Sequence, residues 1–184
     1  RRGIFLLRKL EIDWFYQEGC SYLYPDEWEH YINIISKKER TNLVQAYYKK
    51  LTSSNKSTRI KAAKAWSKWE ASTSKLIPKQ KSLHHFDDDK VAESFARIEC
   101  HYFINNGFFK SDGWILKHIN KIKNIPNVII QGRYDVVCPM KSAWELHKKW
   151  EGSNLIVIND AGHSMLEKGI QEKLVQYTDE FIKY

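Results

Sequence analysis

A chain of 184 residues, of which 42% are hydrophobic, is long and apolar enough to bury one sizeable core, which excludes an intrinsically disordered protein. No apolar run approaches the roughly 20 residues that a membrane-spanning helix needs, and residues 1–5 lack the sections of a signal peptide. We therefore expect no membrane partner and a cytoplasmic location. The net charge of +8 invites comparison with nucleic-acid-binding proteins.

The positive charge is concentrated between residues 40 and 86, where eleven lysines and arginines accompany a single acid, Glu70. These basic residues are scattered around helical positions and form no continuous stripe, which is typical of a solvated basic face. We predict no nucleic-acid partner, and a non-catalytic basic binding module stays open as an alternative.

The first part of the chain has helical periodicity. Apolar residues recur at steps of three and four over 26–51, a second helix begins near Thr58 and runs through Trp69, and a third spans 91–103. Trp66 and Trp69 are at helical spacing, so we predict that they belong to a core and do not contact a substrate.

The pattern changes after Pro126. Residues 127–132 and 154–158 are short, β-branched runs typical of buried parallel strands, and helices are predicted at 141–149 and 169–182. Alternating strands and helices indicate an α/β fold with a parallel sheet. Because two strands cannot form a stable sheet that is covered on both faces, we expect partner strands from outside this chain.

The three cysteines, Cys20, Cys100 and Cys138, form no C-x-x-C pair and no metal-ligand spacing with the histidines. We therefore predict no disulfide framework, no metal site and a reducing compartment. Cys138 is close to Asp135 in sequence, and we expect it to be structural and not a nucleophile.

Each predicted strand is followed by a loop with a polar residue suited to catalysis, namely Asp135 after the first and His163 after the second. Singly, Asp135 could cap a helix and His163 could be a surface histidine. Together they match the order in α/β-hydrolases, in which a serine nucleophile is followed by the acid and then by the histidine. No serine of this chain has the G-x-S-x-G setting, so the nucleophile is predicted to lie outside it.

Five motifs resemble, in order, the signatures of the proline iminopeptidases: RGIFLLR (2–8), WSKWE (66–70), ARIECHYF (96–103), GRYD (132–135) and GHS (162–164). The resemblance implies the C-terminal portion of an α/β-hydrolase fold with a helical cap. Residues 1–13 would link the sheet to the cap, 14–117 would form the cap, and 118–184 would carry the acid and histidine of the triad. It implies a serine-type aminopeptidase that releases N-terminal proline from short peptides without a cofactor, with the N-terminal half of the hydrolase domain absent from this chain.

The resemblance also assigns substrate-binding residues. Glu70 and Glu99 match the two acids that hold the substrate's free amino group, which needs negative charge once it leaves water. Phe5 and Phe103 match aromatic residues that enclose the proline ring. Phe15 occupies a position where the family often has tyrosine.

Two alternatives stay open at this level. Glu99 could be a surface glutamate paired with Arg97 along a helix. The chain could also belong to another capped α/β-hydrolase, an esterase or an epoxide hydrolase, which would share the acid and histidine but would have no need for two glutamates in the cap.

Overall fold

The computed structural model describes residues 1–78 and 84–182 of the chain. The described α-helices are α1 (Lys9–Tyr16), α2 (Pro25–Ile32), α3 (Leu43–Leu51), α4 (Lys56–Thr73), α5 (Asp89–Ile104), α6 (Trp114–Lys117), α7 (Met140–Lys149) and α8 (Lys168–Phe181). The strands are β1 (Val128–Gly132) and β2 (Asn154–Ile158). None of these helices combines the length and the apolar character that crossing a membrane requires.

The chain divides into two compact units. The first consists of Arg1–Leu6, Ser74–Ile77 and Gly113–Tyr184, and the second consists of Leu7–Thr73 and Pro78–Asp112.

The first unit is built on the parallel pairing of β1 with β2, whose register runs from Val128 opposite Asn154 to Gly132 opposite Ile158. Successive residues of a strand point to opposite faces. Ile129 accordingly packs in one apolar cluster with residues of α7, and Ile130 packs in another with Ile170 of α8. Helices therefore contribute to the cores on both faces, and the predicted parallel α/β arrangement is confirmed.

The predicted elements of this unit agree closely with the structure. Strand β2 has the predicted bounds, β1 begins one residue later than predicted, and α7 and α8 each begin one residue earlier. Strand pairing continues on the edge of β1 opposite β2, because Arg2 forms a parallel bridge with Ile130 of β1.

The second unit has an aromatic core. Tyr31 stacks on Tyr47 with ring centroids 4.5 Å apart, and Trp66 meets Tyr47 edge to face at 5.2 Å. Trp66 and Trp69 are both buried, so their predicted place in a core is confirmed.

The prediction of one helix over 26–51 is wrong. Helix α2 ends at Ile32, and α3 begins at Leu43. The side chain of Asn42 accepts a hydrogen bond from the backbone N–H of Gln45 at 3.0 Å, and this N-cap starts a new helix. Helical periodicity on both sides of the break concealed it, and α1 was not predicted at all.

Candidate active site

The loops that follow the two strands bring Asp135 and His163 together. Nδ1 of His163 lies 3.0 Å from Oδ2 and 3.2 Å from Oδ1 of Asp135. Because parallel strands end at the same edge of a sheet, residues separated by 28 positions in sequence become hydrogen-bonded neighbours. The structure thus pairs the acid and the imidazole that the sequence singled out.

The carboxylate of Asp135 is buried and held in place. Its Oδ1 accepts the backbone N–H of Cys138 at 2.7 Å, and its Oδ2 accepts Nε2 of Gln131 at 3.0 Å. The alternative role, capping the next helix, receives no support because the N-cap of α7 is Pro139. These bonds fix the direction in which the carboxylate faces the imidazole.

The tautomer of His163 follows from its second neighbour, Arg2. Nη1 of Arg2 donates to the carbonyl oxygen of His163 at 2.7 Å and lies 3.2 Å from its Nε2. A guanidinium can only donate, so Nε2 must accept. The ring proton then resides on Nδ1 and points at Asp135. In this tautomer the Nε2 lone pair, which a general base would use, accepts from Arg2, so Nε2 can take a proton from a nucleophile only when Arg2 releases it.

Two glycines allow the backbone to approach the histidine. A Cβ atom on Gly132, at the end of β1, would overlap the carbonyl oxygen of Gly162. Gly3 has a φ of +53°, and a Cβ atom there would lie 2.9 Å from Cε1 of His163. Side chains at these two positions would displace the loop or the ring.

One grouping near the acid was not indicated by sequence spacing. Asp135, Cys138 and His163 each offer a ligand atom, and these atoms lie within 4.8 Å of one another. Such a set could hold a metal of the zinc type. Both oxygens of Asp135 already accept hydrogen bonds, however, so a metal would have to displace the imidazole or the backbone N–H. The geometry favours the hydrogen-bonded acid and base.

In the second unit, Glu70 and Glu99 are held by two stacked aromatic rings. The hydroxyl of Tyr16 donates to Oε1 of Glu70, which is buried, and Nε1 of Trp66 donates to Oε2 of Glu99 at 2.9 Å. The rings of Tyr16 and Trp66 stack at 4.4 Å with an interplanar angle of 18°. The two glutamates, 29 positions apart in sequence, therefore belong to one cluster.

Burial makes negative charge in this cluster unfavourable. It raises the pKa of Glu99 to about 7, against the Trp66 hydrogen bond, which favours the charged form. Burial, and next the negative charges of Glu70 and Glu99, raise the pKa of Tyr16 well above its usual value. A cation placed here would stabilise the carboxylates.

The alternative reading of Glu99, a helical ion pair with Arg97, is not what the structure shows. Arg97 pairs with Glu93 at 3.2 Å, and Glu93 also accepts Nε of Arg59 at 2.8 Å. Glu99 bonds to Trp66 instead.

The predicted aromatic residues lie in both units. The ring centroid of Phe103 lies 4.9 Å from that of Tyr16 and 6.2 Å from that of Trp66, so Phe103 packs against the two residues that hold the glutamates. Phe15 is 1% exposed and meets Tyr16 edge to face at 4.8 Å, inside the same aromatic core. Phe5 is partly exposed and belongs to the first unit.

Sequence reasoning missed three residues of these sites. Tyr16 ends an aromatic run and could have been noticed there, and Trp66 was considered only as a core residue. Arg2 has no spacing to His163 that a sequence could reveal, since 161 positions separate them.

Comparisons with known proteins agree with the α/β-hydrolase fold and with the resemblance to proline iminopeptidases. A family model described as TAP-like protein, of the α/β-hydrolase group, matches residues 99–183. A probable proline iminopeptidase from Leptolyngbya boryana is 56% identical over 181 residues, which are 98% of this chain and 56% of the relative. The proline iminopeptidase of Xanthomonas citri is 49% identical over 180 residues, 98% of this chain and 58% of the relative. That of Arabidopsis thaliana is 51% identical over 175 residues, 95% of this chain and 46% of the relative. The chain spans about half the length of these curated relatives.

Proposed function

We propose that this chain belongs to the proline iminopeptidase family, because it is 56% and 49% identical to two relatives of that name and has the α/β-hydrolase fold class that the sequence predicted. We propose that the complete protein is a serine-type aminopeptidase that removes proline from the N-terminus of short peptides. In this proposal the nucleophilic serine belongs to the part of the complete protein that lies outside this chain. We also propose a cytoplasmic location, as the cysteine spacing suggests.

The two units have different roles in this proposal. We assign to the second unit the role of the cap that was predicted at 14–117, which is to recognise the substrate's amino group. The first unit contains the region predicted at 118–184 and supplies Asp135 and His163. Residues 1–13 link the sheet to the cap.

The reaction is acyl transfer. The serine hydroxyl attacks the carbonyl carbon of the N-terminal proline while Nε2 of His163 takes the hydroxyl proton. Asp135 holds Nδ1–H and stabilises the imidazolium that forms. His163 then gives this proton to the departing amine as the C–N bond breaks, which leaves proline esterified to the serine. Water attacks this ester, His163 takes the proton of the water and returns it to the serine oxygen, and proline is released. No cofactor is required.

The observation that carries the aminopeptidase proposal is the pair of carboxylates Glu70 and Glu99, held by Tyr16 and Trp66. An α-ammonium group in this cluster would neutralise charge that is otherwise unfavourable there. The proline ring would lie against aromatic side chains, for which we propose Phe103 and Phe5, while the buried Phe15 supports the site by packing on Tyr16.

The test compares charged and neutral substrates in the complete protein. Glu70→Gln and Glu99→Gln are expected to lose on the order of 100-fold in kcat/KM on substrates with a free N-terminal proline. They should lose little on a small neutral ester, which depends only on the serine, His163 and Asp135. Because both acids act on one group, their effects should be non-additive in a double-mutant cycle. Glu29→Gln, at an exposed position of α2, is the matched control.

Other results would point to the alternatives. Equal losses on the amine and on the ester would mean that the glutamates only support the second unit, and would favour another capped hydrolase. Strongly salt-dependent binding of a random oligonucleotide would favour the basic binding module.

A further inference from the structure

The loop that carries His163 is held by a second carboxylate, that of Glu167. The backbone N–H of Gly162 donates to both oxygens of Glu167, at 3.1 Å to Oε1 and 3.0 Å to Oε2. The backbone N–H of Ser164 donates to Oε1 at 3.2 Å. Glu167 therefore binds the residue on each side of the histidine.

A separate segment of the first unit, Ser74–Ile77, completes this arrangement. The carbonyl oxygen of Ser74 accepts the backbone N–H of His163 at 3.1 Å and that of Ser164 at 2.8 Å. The N–H of Leu76 donates to Oε2 of Glu167 at 3.4 Å. The carboxylate thus connects the histidine loop to a segment about 90 positions earlier in the chain.

The side chain of Glu167 does not cap α8, the helix that follows it. Glu167 occupies the N-cap position of α8, yet its side chain makes no capping hydrogen bond there. The neighbouring Lys168 pairs with Glu172 and not with Glu167. The side chain instead reaches back to the loop, where an ionised carboxylate makes stronger hydrogen bonds to backbone N–H groups than a neutral acceptor would.

We propose that Glu167 is a positioning residue for His163, an inference that rests on the proposed function for its catalytic consequence. The position of the loop sets the 3.0 Å contact between Nδ1 and Asp135 and the direction of Nε2. A displacement of about 1 Å in such a site can lower a rate by about 100-fold. Glutamine has a single acceptor oxygen, and its NH₂ group would face backbone N–H donors, so it cannot replace the carboxylate.

The experiment uses Glu167→Gln, with Glu172→Gln, an exposed position of the same helix, as control. In the complete protein, Glu167→Gln is expected to lower kcat by about 10- to 100-fold with KM changed less than about twofold. In the full 184-residue chain, the NMR chemical shift of the Nδ1 proton of His163 should move away from the downfield value that is typical of a strongly hydrogen-bonded proton. Glu167→Asp keeps the charge with a shorter reach and should lie between parent and Glu167→Gln in both measurements.

Parental kcat and a parental Nδ1 proton signal in Glu167→Gln would overturn the proposal, even if the melting temperature fell. Should Glu167→Gln not fold, Glu167→Asp decides by the same two measurements. If the parent itself lacks proline aminopeptidase activity, the proposed function fails, while the NMR signal still tests whether Glu167 positions the imidazole.

Discussion

The guanidinium of Arg2 contacts His163 at two points: Nη1 donates to the backbone carbonyl oxygen at 2.7 Å and lies 3.2 Å from Nε2 of the imidazole. The first contact holds the loop, and the second selects the tautomer that leaves Nε2 unprotonated. A residue with no predicted role is therefore part of the immediate surroundings of the base.

Replacing Arg2 should be visible at the imidazole. In Arg2→Gln the ¹⁵N signal of Nε2 should move toward the position of a nitrogen without a hydrogen-bond donor, and the chain should lose about 1–3 kcal/mol of unfolding free energy. Arg1→Gln is the control, since the Arg1 side chain lies over the ring of Trp150. An unchanged Nε2 signal in Arg2→Gln would contradict the hydrogen bond from Arg2 to Nε2, from which the tautomer is inferred.

Asp135→Asn tests the acid. In the complete protein we expect kcat to fall by about 10⁴-fold, since the imidazole loses its anionic partner and its favoured tautomer. The loop should also lose stability, because an amide NH₂ would face the donors of Gln131 or Cys138. Asp160→Asn, at an exposed position before His163, should leave kcat near the parental value. Near-parental turnover in Asp135→Asn would require a different acid.

The raised pKa of Glu99 predicts a pH dependence of stability. Its folded-state pKa of about 7 exceeds the ordinary value of 4.5, so the folded chain binds this proton more tightly than the unfolded chain. The resulting stability is fully present below pH 4.5 and is lost as the pH rises to about 7. Urea unfolding of the chain between these values should show the decline, and Glu99→Gln should reduce it.

Glu93 provides a contrast in the same helix. The Arg59 hydrogen bond holds the pKa of Glu93 below its ordinary value, so its contribution is lost only as the pH falls below that value. The difference between the parent and Glu99→Gln therefore isolates Glu99 above pH 4.5. A difference in unfolding free energy between the parent and Glu99→Gln that stays constant with pH would contradict the prediction.

Tyr16→Phe tests the cluster around Glu70. Removing the hydroxyl takes a donor from a buried carboxylate, which typically costs about 1–3 kcal/mol. In the complete protein, kcat/KM for free N-terminal proline substrates should fall about tenfold, with little change on a neutral ester. Tyr47→Phe removes a similar buried hydroxyl, which donates to the carbonyl oxygen of Tyr31 at 2.6 Å, and serves as the control. Equal effects of the two variants on both substrates would mean that only packing was disturbed.

Local patterns made the first unit predictable. The β-branched runs of β1 and β2 determine where the strands lie, and their common edge brings Asp135 and His163 together without further information. The second unit depends more on contacts between distant residues. The bond from Tyr16 to Glu70 joins residues 54 positions apart, which no periodicity encodes. The start of α3 is marked by the side chain of Asn42, whose capping bond is not revealed by the hydrophobic periodicity.

The contact between Gly132 and Gly162 has a genetic consequence. A side chain at position 132 would overlap a carbonyl oxygen, which every amino acid carries, and the opposing residue is already the smallest one. A larger residue at 132 therefore cannot be offset by a smaller residue opposite it, as happens when two side chains meet in a core. A screen for suppressors of Gly132→Ala should recover reversion at that codon and no compensating substitution at position 162.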